Sequence, residues 1–248
     1  MEERNAGMAF GKMKDRAGER EAHMQGKEKG KGDAFHAAKD ADALARQAAA
    51  LARDWEYARE NIYPILTAAG DGKFLEGLAF LPVLDLAVTY AVRLSLPGGR
   101  EGIVRVKDFL PGAYGISREE MHGQAMRNMG KDGYHFERME ETLFGIPGFS
   151  RGDGPVRMYV LSNQTGAYGA AGLLDTGLIA QFAGGCDYYI LPSSVHELIF
   201  IPASDVEDAG ELDRLVEETT LAAVPEKERL SCHSYFYDAA LQEVRICR

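Results

Sequence analysis

Residues 187–201 read Asp-Tyr-Tyr-Ile-Leu-Pro-Ser-Ser-Val-His-Glu-Leu-Ile-Phe-Ile. Two apolar runs, rich in aromatic and β-branched side chains, flank a short polar segment that contains a proline and two serines. This composition is typical of two strands joined by a turn. The pattern therefore predicts strands over residues 187–191 and 195–201, connected around the turn at residues 192–194.

The segments on either side of this hairpin extend the sheet. Further strands are predicted at residues 158–161, 168–174, 234–237 and 243–247, the last two as edge strands. A short helix is predicted at residues 176–182, ended by the two glycines Gly184 and Gly185. A second, amphipathic helix is marked by spaced apolar and small side chains at Leu212, Leu215, Val216 and Thr219.

The N-terminal part begins with a polar segment. Residues 1–33 contain six glycines and fifteen charged residues with few large apolar side chains, so they are predicted to be a disordered tail. From Ala34 to Ile62 apolar residues recur at steps of three or four, which predicts a helix that Pro64 stops. Residues 83–96 could form a helix or a strand, and the β-branched and aromatic side chains of residues 88–92 favour a strand. Residues 102–109 are predicted to be a strand paired with it.

Ser117 and Glu120 form a capping box, which predicts a helix start. The helix that follows carries Met121, Ala125 and Met129 on one face, and its lone His122 is expected to be solvated or satisfied in the core. Residues 134–144 predict a short helix, and residues 151–155 a linker.

The fold class expected from these elements is α+β, with a mixed, mainly antiparallel sheet packed with short helices. Three parts are predicted: a disordered tail over residues 1–33, a helical and hairpin part over 34–150, and an α+β part over 151–248. Residues 34–248 as one domain are the alternative. The chain has 248 residues, of which 46% are hydrophobic, and this is enough to bury a core without disulfides or metal.

Composition limits the partners. The net charge of −10 opposes binding to phosphate backbones, so no nucleic acid is expected, and a contact through the tail lysines is only a weak alternative. No stretch is long and apolar enough for a membrane span, and no signal peptide is expected. Three scattered cysteines without a C-x-x-C pair indicate reduced thiols in a cytoplasmic protein.

His196 and Glu197 begin a partial match to H-E-x-x-H, but the position three after Glu197 is Phe200. A zinc peptidase needs a second histidine one helical turn away, so this match fails and no metal or cofactor is expected. If the segment is a strand, His196 and Glu197 point to opposite faces and cannot act together.

A nucleophilic serine, Ser193 or Ser194 with His196 as its base, is the alternative catalytic interpretation. No G-x-S-x-G elbow exposes either hydroxyl. We favour a structural interpretation, in which the serines cap turn amides and His196 bonds to a neighbouring strand or loop. The glycines at 166, 169 and 172 likewise indicate close backbone packing rather than a phosphate-binding loop.

Several segments resemble one known family. They are Phe80-Leu81-Pro82-Val83-Leu84-Asp85-Leu86-Ala87-Val88, Gly115-Ile116-Ser117, Tyr159-Val160-Leu161-Ser162-Asn163, Gly166-Ala167-Tyr168-Gly169-Ala170-Ala171 and the stretch from Asp187 to Glu197. Together they are similar to a bacterial family known as domain of unknown function 5688. The resemblance covers the chain from about Trp55 onward. It implies a bacterial cytosolic setting and supplies no activity.

The resulting hypothesis is a non-enzymatic cytosolic binding or regulatory protein, with an unknown protein or small molecule as its partner. Polar groups on a turn between buried strands are well placed to bind a partner. The expected functional surface therefore comprises Asn163, Ser193, Ser194, His196 and Glu197. The alternative is the hydrolase that uses Ser193 or Ser194 with His196.

Overall fold

The computed structural model describes residues 31–70, 72–96, 99–140, 156–192 and 194–247. The predicted tail over residues 1–30 and the predicted linker at 151–155 lie outside this part of the chain. Residues 31–33, which the sequence assigns to the tail, instead belong to the first helix.

Two consecutive helices open the described chain, α1 (Lys31–Arg53) and α2 (Trp55–Asn61). Asp54 separates them, and its carboxylate accepts a hydrogen bond from the Glu56 amide at 3.0 Å as an N-cap. Ala52 and Ala58 are buried in the core. The predicted apolar stripe is therefore confirmed up to Ala58, and only its last member, Ile62, lies outside the helices.

The first sheet contains β1 (Ile62–Ala68), β2 (Phe80–Val83), β3 (Leu86–Leu96) and β4 (Arg100–Arg105). β3 is central: β1 pairs along one side, while β2 and β4 lie end to end along the other. The predicted β3–β4 hairpin is confirmed, with Val92 opposite Val104. β1 was not predicted, because Pro64 indicated a helix end rather than an edge strand, where proline is tolerated.

The two faces of β3 differ in character. Leu86, Val88, Tyr90 and Val92 alternate into a core shared with the helices, whereas the opposite face carries Ala87, Thr89 and Ala91, all buried. This second face is lined by small and hydroxyl side chains.

Helices α3 (Leu110–Tyr114) and α4 (Arg118–Met129) follow β4. The predicted capping box is confirmed: the Ser117 hydroxyl accepts from the Glu120 amide at 3.0 Å, and Glu120 accepts from the Ser117 amide at 2.8 Å. Met121, Ala125 and Met129 are buried as predicted. Of the two alternatives for His122, the structure shows a side chain bonded within the core. Its Nδ1 lies 3.1 Å from the Tyr90 hydroxyl, and burial lowers its pKa.

The second sheet has the strand order β10-β9-β7-β8-β6-β5, and every neighbouring pair is antiparallel. Its strands are β5 (Tyr134–Arg138), β6 (Tyr159–Asn163), β7 (Tyr188–Leu191), β8 (Leu198–Pro202), β9 (Tyr235–Asp238) and β10 (Glu243–Ile246). With α5 (Thr176–Ala183) and α6 (Ala209–Ala223), they confirm the expected α+β class and the two predicted helices.

β8 explains the long apolar run in the sequence. Leu198 and Phe200 face the core that the second sheet shares with the first, while Ile199 and Ile201 face a separate cluster under α6. A strand that is buried on both faces has no polar alternation. The predicted hairpin of β7 and β8 is confirmed, with Leu191 opposite Ile199.

Four local predictions are wrong. Residues 134–138 form β5 rather than a helix, since Phe136 stacks on Tyr159 at 5.0 Å between ring centroids in an aromatic cluster. The predicted strand at 168–174 is a 3-10 helix (Gly169–Leu174). β8 begins at Leu198 rather than Val195, and β9 lies inside the sheet rather than at its edge.

Residues on the two sides of the predicted boundary between the parts contact each other. β5 precedes residue 151 and yet pairs with β6 in the second sheet. One core cluster also contains side chains of both sheets, such as Val88 and Phe200. The division into parts stays a prediction.

Two further features concern the surface of the described chain. Cys186 and Cys232 are exposed and Cys247 is half-buried, and all three thiols are free. Within the described ranges, no helix has the length and apolar character that crossing a bilayer requires.

Thr220 supplies a test of the packing under α6. Its side chain is fully buried, and its hydroxyl has no hydrogen-bond partner among the residues that the structure describes. Because a buried hydroxyl without a partner keeps its desolvation cost, we expect Thr220→Val to raise the free energy of unfolding by about 1 kcal/mol. Urea denaturation of both proteins measures this difference. A loss of stability in the valine variant would mean that the hydroxyl is satisfied in solution.

Candidate functional site

The candidate site lies on the connection between β7 and β8. This connection is fastened to the segment before β9, because the Val195 amide donates to the Glu228 carbonyl at 2.8 Å and the Ser231 amide donates to the Pro192 carbonyl at 3.1 Å. Two loops that are distant in sequence therefore form one surface.

Ser194 has a structural role in this connection. Its side chain is buried, and its hydroxyl oxygen accepts a hydrogen bond from the His196 amide at 3.1 Å. The predicted turn cap is confirmed for this serine. Ser193 lies outside the described residues.

Asn163 ends β6 and organises the next turn. Its side chain is 1% exposed, and its amide donates to the Ala167 carbonyl at 2.9 Å while its Oδ1 accepts from the Thr165 hydroxyl at 2.9 Å. Both ends of the side chain are thus bonded within the turn. Asn163 positions the chain that leads to Tyr168 and is not itself presented to solvent.

Gly169 lies where three chain segments come together. The Ser162 hydroxyl donates to the His196 carbonyl at 3.0 Å, and a Cβ at residue 169 would lie 2.6 Å from both of these oxygens and 2.8 Å from the Asn163 amide nitrogen. A Cβ at Gly172 would lie 2.8 Å from the Tyr134 ring. The interpretation of the glycine repeat as close backbone packing is confirmed at these two positions.

The His196 imidazole is held on both sides. The Tyr168 amide donates to its Nδ1 at 3.3 Å, its Nε2 lies 3.7 Å from a Glu228 carboxylate oxygen, and the Tyr168 ring lies against it with 5.6 Å between centroids. An amide N–H can only donate, so Nδ1 is an acceptor and the neutral ring carries its proton on Nε2. The prediction that His196 bonds to a neighbouring loop is confirmed.

This tautomer decides what the ring can do. A histidine that acts as a general base for serine needs a free lone pair on one nitrogen and an acceptor for the N–H on the other. In His196 the lone pair on Nδ1 is bonded to the Tyr168 amide, and Nε2 presents an N–H. The imidazole is therefore arranged as a hydrogen-bond donor.

His196 lies in a bend, and Glu197 lies in the irregular position just before β8, so neither residue is in the strand. The expectation that a pleated strand directs them to opposite faces is thus wrong in its premise. The carboxylate that faces the imidazole belongs to Glu228, and the sequence analysis missed both Glu228 and Tyr168. Neither has a local signal, because they meet His196 only through tertiary contacts. Glu197 is half-buried.

Within the described part of the chain, no three His, Cys, Asp or Glu side chains come close enough together to hold a metal ion. The arrangement around His196 instead offers an N–H donor, a carboxylate and an aromatic ring. Such a set suits recognition of a polar group.

The fold and the site define a class: an α+β protein in which two antiparallel sheets share a core and a clamped histidine loop closes one hairpin. The family model described as a family of unknown function (DUF5688) matches residues 33–239. The chain belongs to this family, which confirms the resemblance found in the sequence. No curated protein and no solved structure matches the chain.

The close approach at Gly169 generates a direct prediction. Because the added methyl group would overlap the His196 carbonyl and the Ser162 hydroxyl, we expect Gly169→Ala to lower the free energy of unfolding by about 1–3 kcal/mol. Chemical denaturation measures the loss.

Gly112 in α3 is the matched control, since a Cβ there has no neighbour within 4 Å. Gly112→Ala should leave the protein as stable or slightly more stable, because alanine favours a helix. Equal stability for the two alanine variants would contradict the packing described here.

Proposed function

We propose that this protein is a non-enzymatic binding protein whose contact surface is centred on His196, with Tyr168 and Glu228 beside it. The observation that carries the proposal is the hydrogen bond from the Tyr168 amide to His196 Nδ1. It occupies the lone pair that catalysis by this ring would need and fixes the orientation of the Nε2–H group.

The surface combines accessibility with rigidity. The side chains of His196 and Glu228 are 30% and 35% exposed, while the backbone of both residues is tied to neighbouring loops by hydrogen bonds. A preorganised polar group loses little conformational entropy on binding. This supports recognition of a partner that offers an acceptor to His196 and a donor to Glu228.

The five residues of the expected surface have different parts in this proposal. Asn163 and Ser194 position the loops, and His196 makes the contact. Glu197 follows His196 in the chain, and Ser193 lies outside the described residues. The partner is a protein or a small molecule in the bacterial cytoplasm, a setting that agrees with the free thiols and the acidic net charge.

The rival function is a hydrolase that uses Ser193 or Ser194 with His196. For Ser194, the hydroxyl is bonded to the His196 amide, which supports a capping role. For Ser193, the imidazole would first have to release the Tyr168 amide, since its lone pair is in use. These contacts favour binding over hydrolysis.

The proposal predicts the effect of His196→Ala. Because the substitution removes the N–H donor while the backbone contacts remain, we expect affinity for the cellular partner to fall about tenfold or more. Pull-downs from a bacterial lysate with the wild-type chain identify the partner, and titration of that partner against the variant measures the loss.

His233→Ala is the matched control, because His233 is an exposed histidine whose ring faces Asp213 at 3.9 Å and not Glu228. It should bind as the wild type does. Equal affinity of the His196 variant would remove the site. Labelling of the wild type by a serine-directed covalent probe that is lost in the Ser193 or Ser194 alanine variant would favour the hydrolase instead.

A further inference from the structure

A second polar group, the Arg105 guanidinium, lies on the first sheet. Arg105 ends β4 opposite Ala91, on the face of the sheet that carries Ala87 and Thr89. It is half-buried, and its Nη2 donates to the Thr67 hydroxyl at 3.2 Å.

The threonines that support Arg105 form a directed chain. Thr89 donates to the Ile65 carbonyl at 3.2 Å, and its oxygen lies 2.8 Å from the Thr67 hydroxyl. Because Thr89 uses its proton on the carbonyl, it must accept from Thr67, and Thr67 in turn accepts from Arg105. These hydrogen bonds fix one edge of the guanidinium. Its remaining N–H groups have no acceptor among the described residues.

No carboxylate of the described residues forms an ion pair with the half-buried Arg105. Arg93, by contrast, makes a bidentate contact with Asp132 at 2.5 and 2.6 Å. Burial lowers the pKa of Arg105, yet a guanidinium stays protonated in proteins. A partly desolvated charge with only a hydroxyl partner is costly, and such charges are usually paired.

Tyr168 connects this arginine to the histidine surface. Burial lowers the pKa of Arg105, and the neighbouring Tyr168 phenol acts in the opposite direction. The Tyr168 ring also lies against His196. The phenol hydroxyl makes no hydrogen bond to the described residues. Tyr168 is thus a neighbour of Arg105 on the first sheet, and its ring lies against His196 in the β7–β8 connection.

We propose that Arg105, together with the Tyr168 hydroxyl, binds the anionic group of a small ligand whose polar remainder lies against His196 and Glu228. The proposal rests on the proposed binding function and names its ligand class: a small molecule that carries a phosphate or a carboxylate. Both groups match the planar donor edge of a guanidinium.

Charge determines the orientation of this ligand. Glu228 lies beside the imidazole at 3.7 Å and would repel an anion there, whereas Arg105 has no carboxylate to repel it. The acidic group therefore lies at Arg105, and a hydroxyl or amino group of the ligand faces Glu228.

The test is the thermal unfolding of the full chain in chloride, with inorganic phosphate or acetate added at constant ionic strength. A roughly tenfold excess of a bound anion over its dissociation constant should raise the wild-type Tm by roughly 3–6 °C. A response to phosphate alone would identify the acidic group as a phosphate, and a response to acetate as well would admit a carboxylate.

Arg105→Met should lose this anion-dependent shift, and in chloride its Tm should equal or exceed that of the wild type, because an unpaired charge has been removed. Arg105→Lys, which keeps the charge but not the planar donor edge, should retain a weaker shift. Arg127→Met is the matched control: it removes one positive charge from the surface of α4, where Arg127 bonds to Gln124, and it should respond to anions as the wild type does.

A shift that persists in Arg105→Met, or no shift in the wild type, would overturn the proposal. So would a large loss of stability in Arg105→Met in chloride, because it would assign the arginine a structural role. His196→Ala separates the two proposals. If the His196→Ala variant keeps both the anion-dependent rise in Tm and the wild-type affinity for the cellular partner, the Arg105 site is supported and the proposed contact surface at His196 is contradicted.

Discussion

The described structure depends on the space left at Gly169. At this residue the end of β6, the start of the 3-10 helix and the β7–β8 connection come within hydrogen-bonding distance of each other, and a Cβ would lie 2.6 Å from oxygens of two of them. The contact from Ser162 to the His196 carbonyl and the contact from the Tyr168 amide to the His196 ring both require that approach. Without it the imidazole would lose its fixed orientation.

Much of the fold could be predicted from local patterns. The β7–β8 hairpin, the β3–β4 hairpin, α6 and the capping box at Ser117 all depend on periodicity or on residues three or four apart, which a single sequence displays directly. β1 and β5 could not be predicted in this way. Pro64 is compatible with a strand only because β1 lies at a sheet edge, and residues 134–138 become a strand through the aromatic stacking of Phe136 on Tyr159.

The candidate site was only partly predictable. His196 and Ser194 stood out because they interrupt an apolar hairpin, and the serine's role as a cap followed from turn chemistry. Three other residues come from distant parts of the chain: Tyr168 from a glycine-rich segment, Glu228 from the loop before β9, and Arg105 from the first sheet. Their association is a property of the packed sheets, so no spacing in the sequence indicates it. For the same reason, the sequence holds no signal that Glu228 supplies the carboxylate facing the imidazole.

The central claim is that His196 serves as an oriented donor and not as a base. Nitrogen-15 NMR of the histidine side chains at neutral pH tests it most directly, because protonated and unprotonated ring nitrogens have distinct shifts. The account predicts that Nδ1 of His196 is unprotonated and coupled to the Tyr168 amide, with the proton on Nε2. A proton on Nδ1, with Nε2 free to accept from a hydroxyl, would contradict the account.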